Sequence, residues 1–150
     1  MRAARQSAVC AAIIFIALNA LACTSAEQIP ETEIHATDYA FRAPTHLPAG
    51  RAALRLVNDG TVWHEAQVFR FRPGMDAALA GRLLAADSLP DAARDSTGGV
   101  LIAGAKLRGD QALLLTLAHG ELYGILCEFR DGEGKPKHVK LGMFALVRVD

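Results

Sequence analysis

C-E-F-R-D-G-E-G-K-P-K-H-V-K-L-G-M, residues 127–143, decides how this chain is read. Its first residue, Cys127, continues an alternation of Tyr123, Ile125, Cys127 and Phe129, the period of a strand with one buried face. The polar, Gly-rich D-G-E-G-K-P-K that follows predicts a protruding hairpin loop. His138 ends that loop, and Met143 opens a last strand running to Val149. A thiol, an imidazole and a thioether thus fall within one short segment beside a strand end.

Working outward, the flanking chain is mostly strand signal divided by turn chemistry. Glu33–Thr37 alternates, and Asp38-Tyr39-Ala40-Phe41 continues toward Pro44. Ala53–Val57 reads as a strand ended by Asn58-Asp59-Gly60, and Glu65–Phe71 as another ended by Pro73-Gly74. Met75–Ala86 breaks the pattern with helical composition and apolar Leu79, Leu83 and Leu84, a face expected to pack on the sheets away from residues 127–143. Residues 87–99 read as a loop. Strands resume at Val100–Ala103, Gln111–Leu117 and Glu121–Phe129. Short strands at regular spacing with one helical insert predict an all-β, antiparallel β-sandwich.

One further residue joins the first three. His64 follows the turn V-N-D-G-T-V-W-H-E and stands at the start of the next strand. Two imidazoles, one thiol and one thioether are the donor set of a type 1 copper site, trigonal His₂Cys with a weak axial Met. Taken singly, His64 beside a turn also suits a hydrogen-bonded surface residue, and Cys127 a buried inert thiol.

With these residues in place the sequence resembles the cupredoxin family, the blue copper proteins, over Tyr39 to Val149. The order His64, then Cys127, His138 and Met143 in one loop carries the resemblance. So do the four residues between His138 and Met143, and Gly142 before the methionine. The resemblance implies a Greek-key sandwich and one type 1 copper held by His64, Cys127, His138 and Met143. It implies an electron carrier that transforms no substrate and meets redox partners transiently around His138, with Pro136, Leu141 and Gly142 on the docking face. Two departures stand out. Eleven positions separate Cys127 from His138, a long interval for such a loop, and Glu65 stands where many blue copper proteins carry an Asn that ties the ligand loops together.

The N-terminus reads as an export leader, residues 1–22: Arg2 and Arg5, an apolar run from Val9 to Leu18, and the small-residue box Ala20-Leu21-Ala22. A-L-A-C resembles the bacterial lipobox and makes Cys23 a lipidation candidate, with plain cleavage after Ala22 as the alternative. Residues 23–32 read as a tether and 33–150 as the folded domain. The expected location is periplasmic, free or membrane-anchored through Cys23. With Cys10 lost in the leader and Cys23 at the mature terminus, Cys127 has no disulfide partner, and a metal thiolate gives it a reason.

The formal net charge of zero, without a clustered basic face, argues against nucleic acid as partner and fits brief encounters with other proteins; a monomer is expected. His35, His46 and His119 lack ligand-like neighbours and read as surface residues. Trp63 suits either the metal end or the core. Lys135, Lys137 and Lys140 read as a solvated loop that can meet an acidic partner. No phosphate loop, zinc spacing or nucleophile–base motif accompanies them. Two other functions fit the same residues: a copper chaperone or storage module, and a metal-free envelope lipoprotein of the same fold.

Overall fold

The computed structural model describes residues 28–150. The expected leader, Cys23 and the first half of the tether lie outside the described residues. Among the described residues the strands are β1 (Glu31–Thr37), β2 (Ala40–Arg42), β3 (His46–Leu47), β4 (Gly50–Asn58), β5 (His64–Phe71), β6 (Arg94–Ala103), β7 (Arg108–Leu117), β8 (Leu122–Leu126) and β9 (Phe144–Val149), with one α-helix, α1 (Ala77–Ala85). They form two sheets, ordered β2-β1-β4-β7 and β3-β9-β8-β5-β6. Ile34, Leu54, Leu56 and Leu115 of the first sheet and Val68, Leu101, Tyr123, Ile125 and Val147 of the second bury one shared core. The expected all-β sandwich with a short helix is what the chain forms.

The sheets are mixed rather than wholly antiparallel, because β1 runs parallel to β4 and β3 parallel to β9. The cause is the path of the chain. The hairpin partner β2 takes one edge of β1, and the chain then visits the second sheet as β3 before returning as β4 on the other edge. A crossover of this kind brings a strand back in its original direction.

Three boundaries move for physical reasons. Strand β1 begins at Glu31, inside the expected tether: Ala53 N–H donates to Pro30 O (2.9 Å) and Arg55 Nη2 to Glu31 Oε2 (2.8 Å), which draws that end into the sheet. Strand β6 begins at Arg94, so Gly98 and Gly99 lie within a strand rather than a loop. A Cβ on Gly98 (φ 146°) would stand 2.0 Å from Val68 O. The pairing of β5 with β6 also shifts register between Phe69 and Phe71, so the glycine signal marks a close backbone approach at a bulge.

The third concerns α1. Asp76 caps it, its carboxylate accepting from Leu79 N–H (2.8 Å). The helix covers the outer face of the second sheet, and its inward residues are Ala80 and Leu84, one turn apart, set against Phe69, Phe71, Leu122 and Leu126. Leu79 is 40% exposed and Leu83 half-buried, so the expected face is rotated. Nor is the helix remote from residues 127–143. Val139 belongs to the same apolar cluster, and the Asp87 carboxylate lies 3.6 Å from Lys137 Nζ and 3.7 Å from Lys140 Nζ. No helix among the described residues is long and apolar enough to cross a membrane.

Leu84→Ala should therefore cost about 2–5 kcal/mol in denaturant unfolding, as expected for a buried leucine. Leu79→Ala should stay within about 0.5 kcal/mol, as an exposed position. Equal losses at the two sites would contradict the observed helix face.

Candidate metal centre

At one end of the sandwich, the turn after β4 and the segment after β8 bring distant residues together. Asn58 fixes the turn: its Nδ2 donates to Val62 O (2.8 Å) and Ala103 O (3.0 Å), and its Oδ1 accepts from Gly60 N–H (2.8 Å). His64 is thereby the first residue of β5, paired with Ala103. Trp63 points outward, 62% exposed, and is not core. It lies with Leu107 over Gly104, where an added Cβ would be 3.3 Å from each side chain.

The segment 127–143 leaves the sheet after Leu126 and closes on itself. His138 N–H donates to Phe129 O (2.9 Å), Val139 N–H to Cys127 O (2.8 Å), and Cys127 N–H to Met143 O (3.2 Å). Residues 130–136 form the expected exposed excursion. A short 3-10 turn, His138–Leu141, ends at Gly142 in the left-handed region (φ 103°), and Met143 N–H returns to His138 O (3.1 Å). The long Cys–His interval is thus looped out and leaves Cys127 and His138 adjacent.

One ligand atom from each of His64, Cys127 and His138 lies within 4.8 Å of the others, and all three residues are buried, at 0%, 0% and 1% exposure. The imidazoles are 5.2 Å apart between centroids. His138 Nδ1 faces Cys127 Sγ at 3.4 Å. Neither ring nitrogen of His64 has a hydrogen-bond partner, although both are buried. An unpaired polar group in that position is costly unless something else satisfies it. Met143 is fully buried in the large apolar core that also includes Cys127.

Burial shifts two of the three donors toward their uncharged forms. Burial pushes the Cys127 thiol above its ordinary value, against the backbone N–H groups of Glu65 and Phe129, which face the sulfur and favour its thiolate. Burial lowers His64, and the neighbouring His138 adds to the shift.

Glu65 ties the two ligand segments, in its own way. Its buried carboxylate Oε1 accepts from Glu128 N–H (2.9 Å) and Gln67 Nε2 (3.2 Å), while its backbone N–H faces Cys127. Lys137 is not a solvated loop residue, since its ammonium pairs with Glu128 (2.8 Å). His35 and His46 are held by Asp59 (2.8 Å) and Asp150 (2.9 Å), away from the cluster.

The sequence reading passed over the two-residue turn between β1 and β2. Asp38 Oδ1 lies 3.6 Å from His64 Nε2, and the carboxylate is itself held by Thr61 N–H and Oγ1, each at 2.7 Å. Tyr39, at φ 66°, packs edge-on against His138 (5.1 Å) and donates its hydroxyl to Asp131 Oδ2. Asp131 Oδ1 accepts from His138 Nε2 (3.0 Å). The available signal was an acidic residue beside an aromatic one in a tight turn, which is common on surfaces and says nothing of where the turn lands.

No family model matches the chain, and no curated protein matches it. Among solved structures it is similar to reduced auracyanin from the photosynthetic bacterium Roseiflexus castenholzii (18% identity, 80% of this chain and 96% of that one, TM-score 0.48). It is similar to auracyanin A from Chloroflexus aurantiacus, described as a "blue" copper protein (20% identity, 82% and 100% coverage, TM-score 0.48). A purple cupredoxin from Nitrosopumilus maritimus is a third (14% identity, 81% and 99% coverage, TM-score 0.42).

Glu65→Ala should cost about 1–3 kcal/mol, because it strands the Glu128 N–H. Glu65→Gln keeps an acceptor oxygen and should recover most of that loss in thermal unfolding. Equal losses in both variants would show that charge, not the hydrogen bond, matters there.

Proposed function

We propose that the chain is a mononuclear copper protein of cupredoxin type that carries single electrons between partner proteins. The observation that carries this reading is the buried cluster of His64, Cys127 and His138, with ligand atoms within 4.8 Å and the His64 nitrogens unpartnered. A metal ion satisfies such orphaned donors, and a neutral thiol between two imidazoles becomes a thiolate when it binds one.

The donor types favour copper. Thiolate is soft, imidazole serves both Cu(I) and Cu(II), and His₂Cys with a distant thioether is the blue-copper arrangement. His64, Cys127 and His138 would be the strong ligands and Met143 the weak axial one. Copper would supply a one-electron couple. The residues around it would hold its geometry: β5 fixes His64, the closed 127–143 segment fixes the rest, and the Glu65 and Phe129 amides stabilise the thiolate. Ligands anchored on a sheet and a closed loop move little between oxidation states, which suits electron transfer. Glu65 and Glu128 are engaged with amides and Lys137, which suits structure better than acid–base catalysis.

The expected setting is outside the cytoplasm, with residues 1–22 removed and Cys23 either lipidated or free. Transient redox partners would approach the end of the sandwich that carries the cluster. His138 is itself buried, so the exposed surface beside it is Asp131, Pro136, Leu141 and Gly142.

Copper titration followed by visible absorption tests the reading. One Cu(II) per chain should give an intense thiolate charge-transfer band, and Cys127→Ser should remove the band while the protein stays folded by circular dichroism. A band that survives in Cys127→Ser, or no band in the parent protein, would overturn it. Met143→Leu should keep copper and colour and raise the reduction potential, since losing a weak donor disfavours Cu(II). Complete loss of copper on that change would place Met143 among the strong ligands.

A further inference from the structure

The geometry points to a second role for three residues that are not ligands: Asp38, Tyr39 and Asp131 form a carboxylate clamp beside both ligand imidazoles, hydrogen-bonded at His138 and purely electrostatic at His64, which selects the His138 tautomer and biases the site toward Cu(II). This rests on the copper reading above.

Each imidazole has a carboxylate at Nε2. For His138 it is Asp131 Oδ1 at 3.0 Å, and for His64 it is Asp38 Oδ1 at 3.6 Å. A carboxylate oxygen accepts, so at His138 the ring proton sits on Nε2 and the Nδ1 lone pair is left for a metal, while at His64 the Asp38 carboxylate acts by charge alone. His138 Nδ1 already faces Cys127 Sγ at 3.4 Å.

Both carboxylates are held in place by other groups. Thr61 N–H and Oγ1 both donate to Asp38. The Tyr39 hydroxyl donates to Asp131.

The clamp is a built feature rather than two chance surface contacts. Asp38 and Tyr39 are neighbours in one tight turn, with Tyr39 in a left-handed conformation that non-glycine residues seldom adopt. That turn reaches both rings: Asp38 lies against His64, and Tyr39 against His138. Gly60 makes room for it, since a Cβ there would stand 2.4 Å from Asp38 Oδ1 and 3.0 Å from His64 Nε2.

Two negative charges behind the imidazoles raise their basicity and stabilise the more positive ion. Asp38 and Asp131 would therefore tighten Cu(II) more than Cu(I) and lower the reduction potential. At Asp131, Asp→Asn separates charge from position, because the amide oxygen still accepts from His138 Nε2–H; at Asp38 it removes the charge alone.

The test uses the purified protein and its Asp38→Asn, Asp131→Asn, Asp131→Ala and Tyr39→Phe variants, with copper alone as the probe. Nitrogen NMR of the metal-free parent should show His138 as the Nε2–H tautomer, and Asp131→Ala should give a mixture there. Asp131→Ala should weaken Cu(II) binding about 10–100-fold, the usual effect of losing a group that orients a ligand. Asp131→Asn should keep the charge-transfer band and the tautomer, yet raise the potential and the Cu(II) dissociation constant, with Tyr39→Phe in the same direction. If the parent binds copper with its colour but all four variants match it in affinity and potential, the clamp is overturned and the copper reading stands. A parent protein that gives no coloured copper complex overturns both.

Discussion

Two backbone hydrogen bonds, His138 N–H to Phe129 O (2.9 Å) and Val139 N–H to Cys127 O (2.8 Å), hold the donor-bearing end of this molecule in register. They close the excursion of residues 130–136 at its base. Without them Cys127 and His138 would be separated by a flexible polar loop, and no donor cluster would persist against its chain entropy. With them, the loop's length hardly matters to the cluster, since added residues project into solvent.

The rest of the structure braces that closure. Val139 sinks into the apolar layer beneath α1, and Lys137 is fixed between Glu128 (2.8 Å) and Asp87 (3.6 Å). From the other side Glu65 accepts the Glu128 N–H (2.9 Å) and offers its own N–H to the Cys127 sulfur. The helical insert is therefore mechanically part of the centre, although it contributes no donor. Burial then makes the cluster chemically demanding. It holds an uncharged thiol and an imidazole with no partners, a combination that a metal resolves and that water does not reach.

Charge is arranged in layers around this end. Around the buried donors lie the Asp38 and Asp131 carboxylates at the imidazole edges, and the surface beyond mixes Lys135 and Lys140 with exposed Trp63, Leu107 and Leu141. In the proposed copper protein such a layering would let the inner groups favour one oxidation state, while the outer ones would meet partners without strong net attraction.

The sequence by itself determined the sandwich and most of its strands, because period-2 alternation and turn residues are local signals. It also singled out His64, Cys127 and His138, which the fold brings together, since a thiol, an imidazole and a thioether around one turn are rare together, and the start of β5 at His64 follows from Asn58-Asp59-Gly60. It could not determine the parallel pairings β1–β4 and β3–β9, which depend on the order in which the chain visits the two sheets. Gly98-Gly99 read as loop because the same glycine freedom serves a turn and a bulge. The face of α1 was misassigned because Ala80, small and weakly apolar, outcompetes Leu79 only against a particular sheet surface. Asp38, Tyr39 and Asp131 were illegible for the same reason. Their role lies in where a turn from residue 38 lands relative to residues 64 and 138, a through-space relation that only the packed tertiary structure decides.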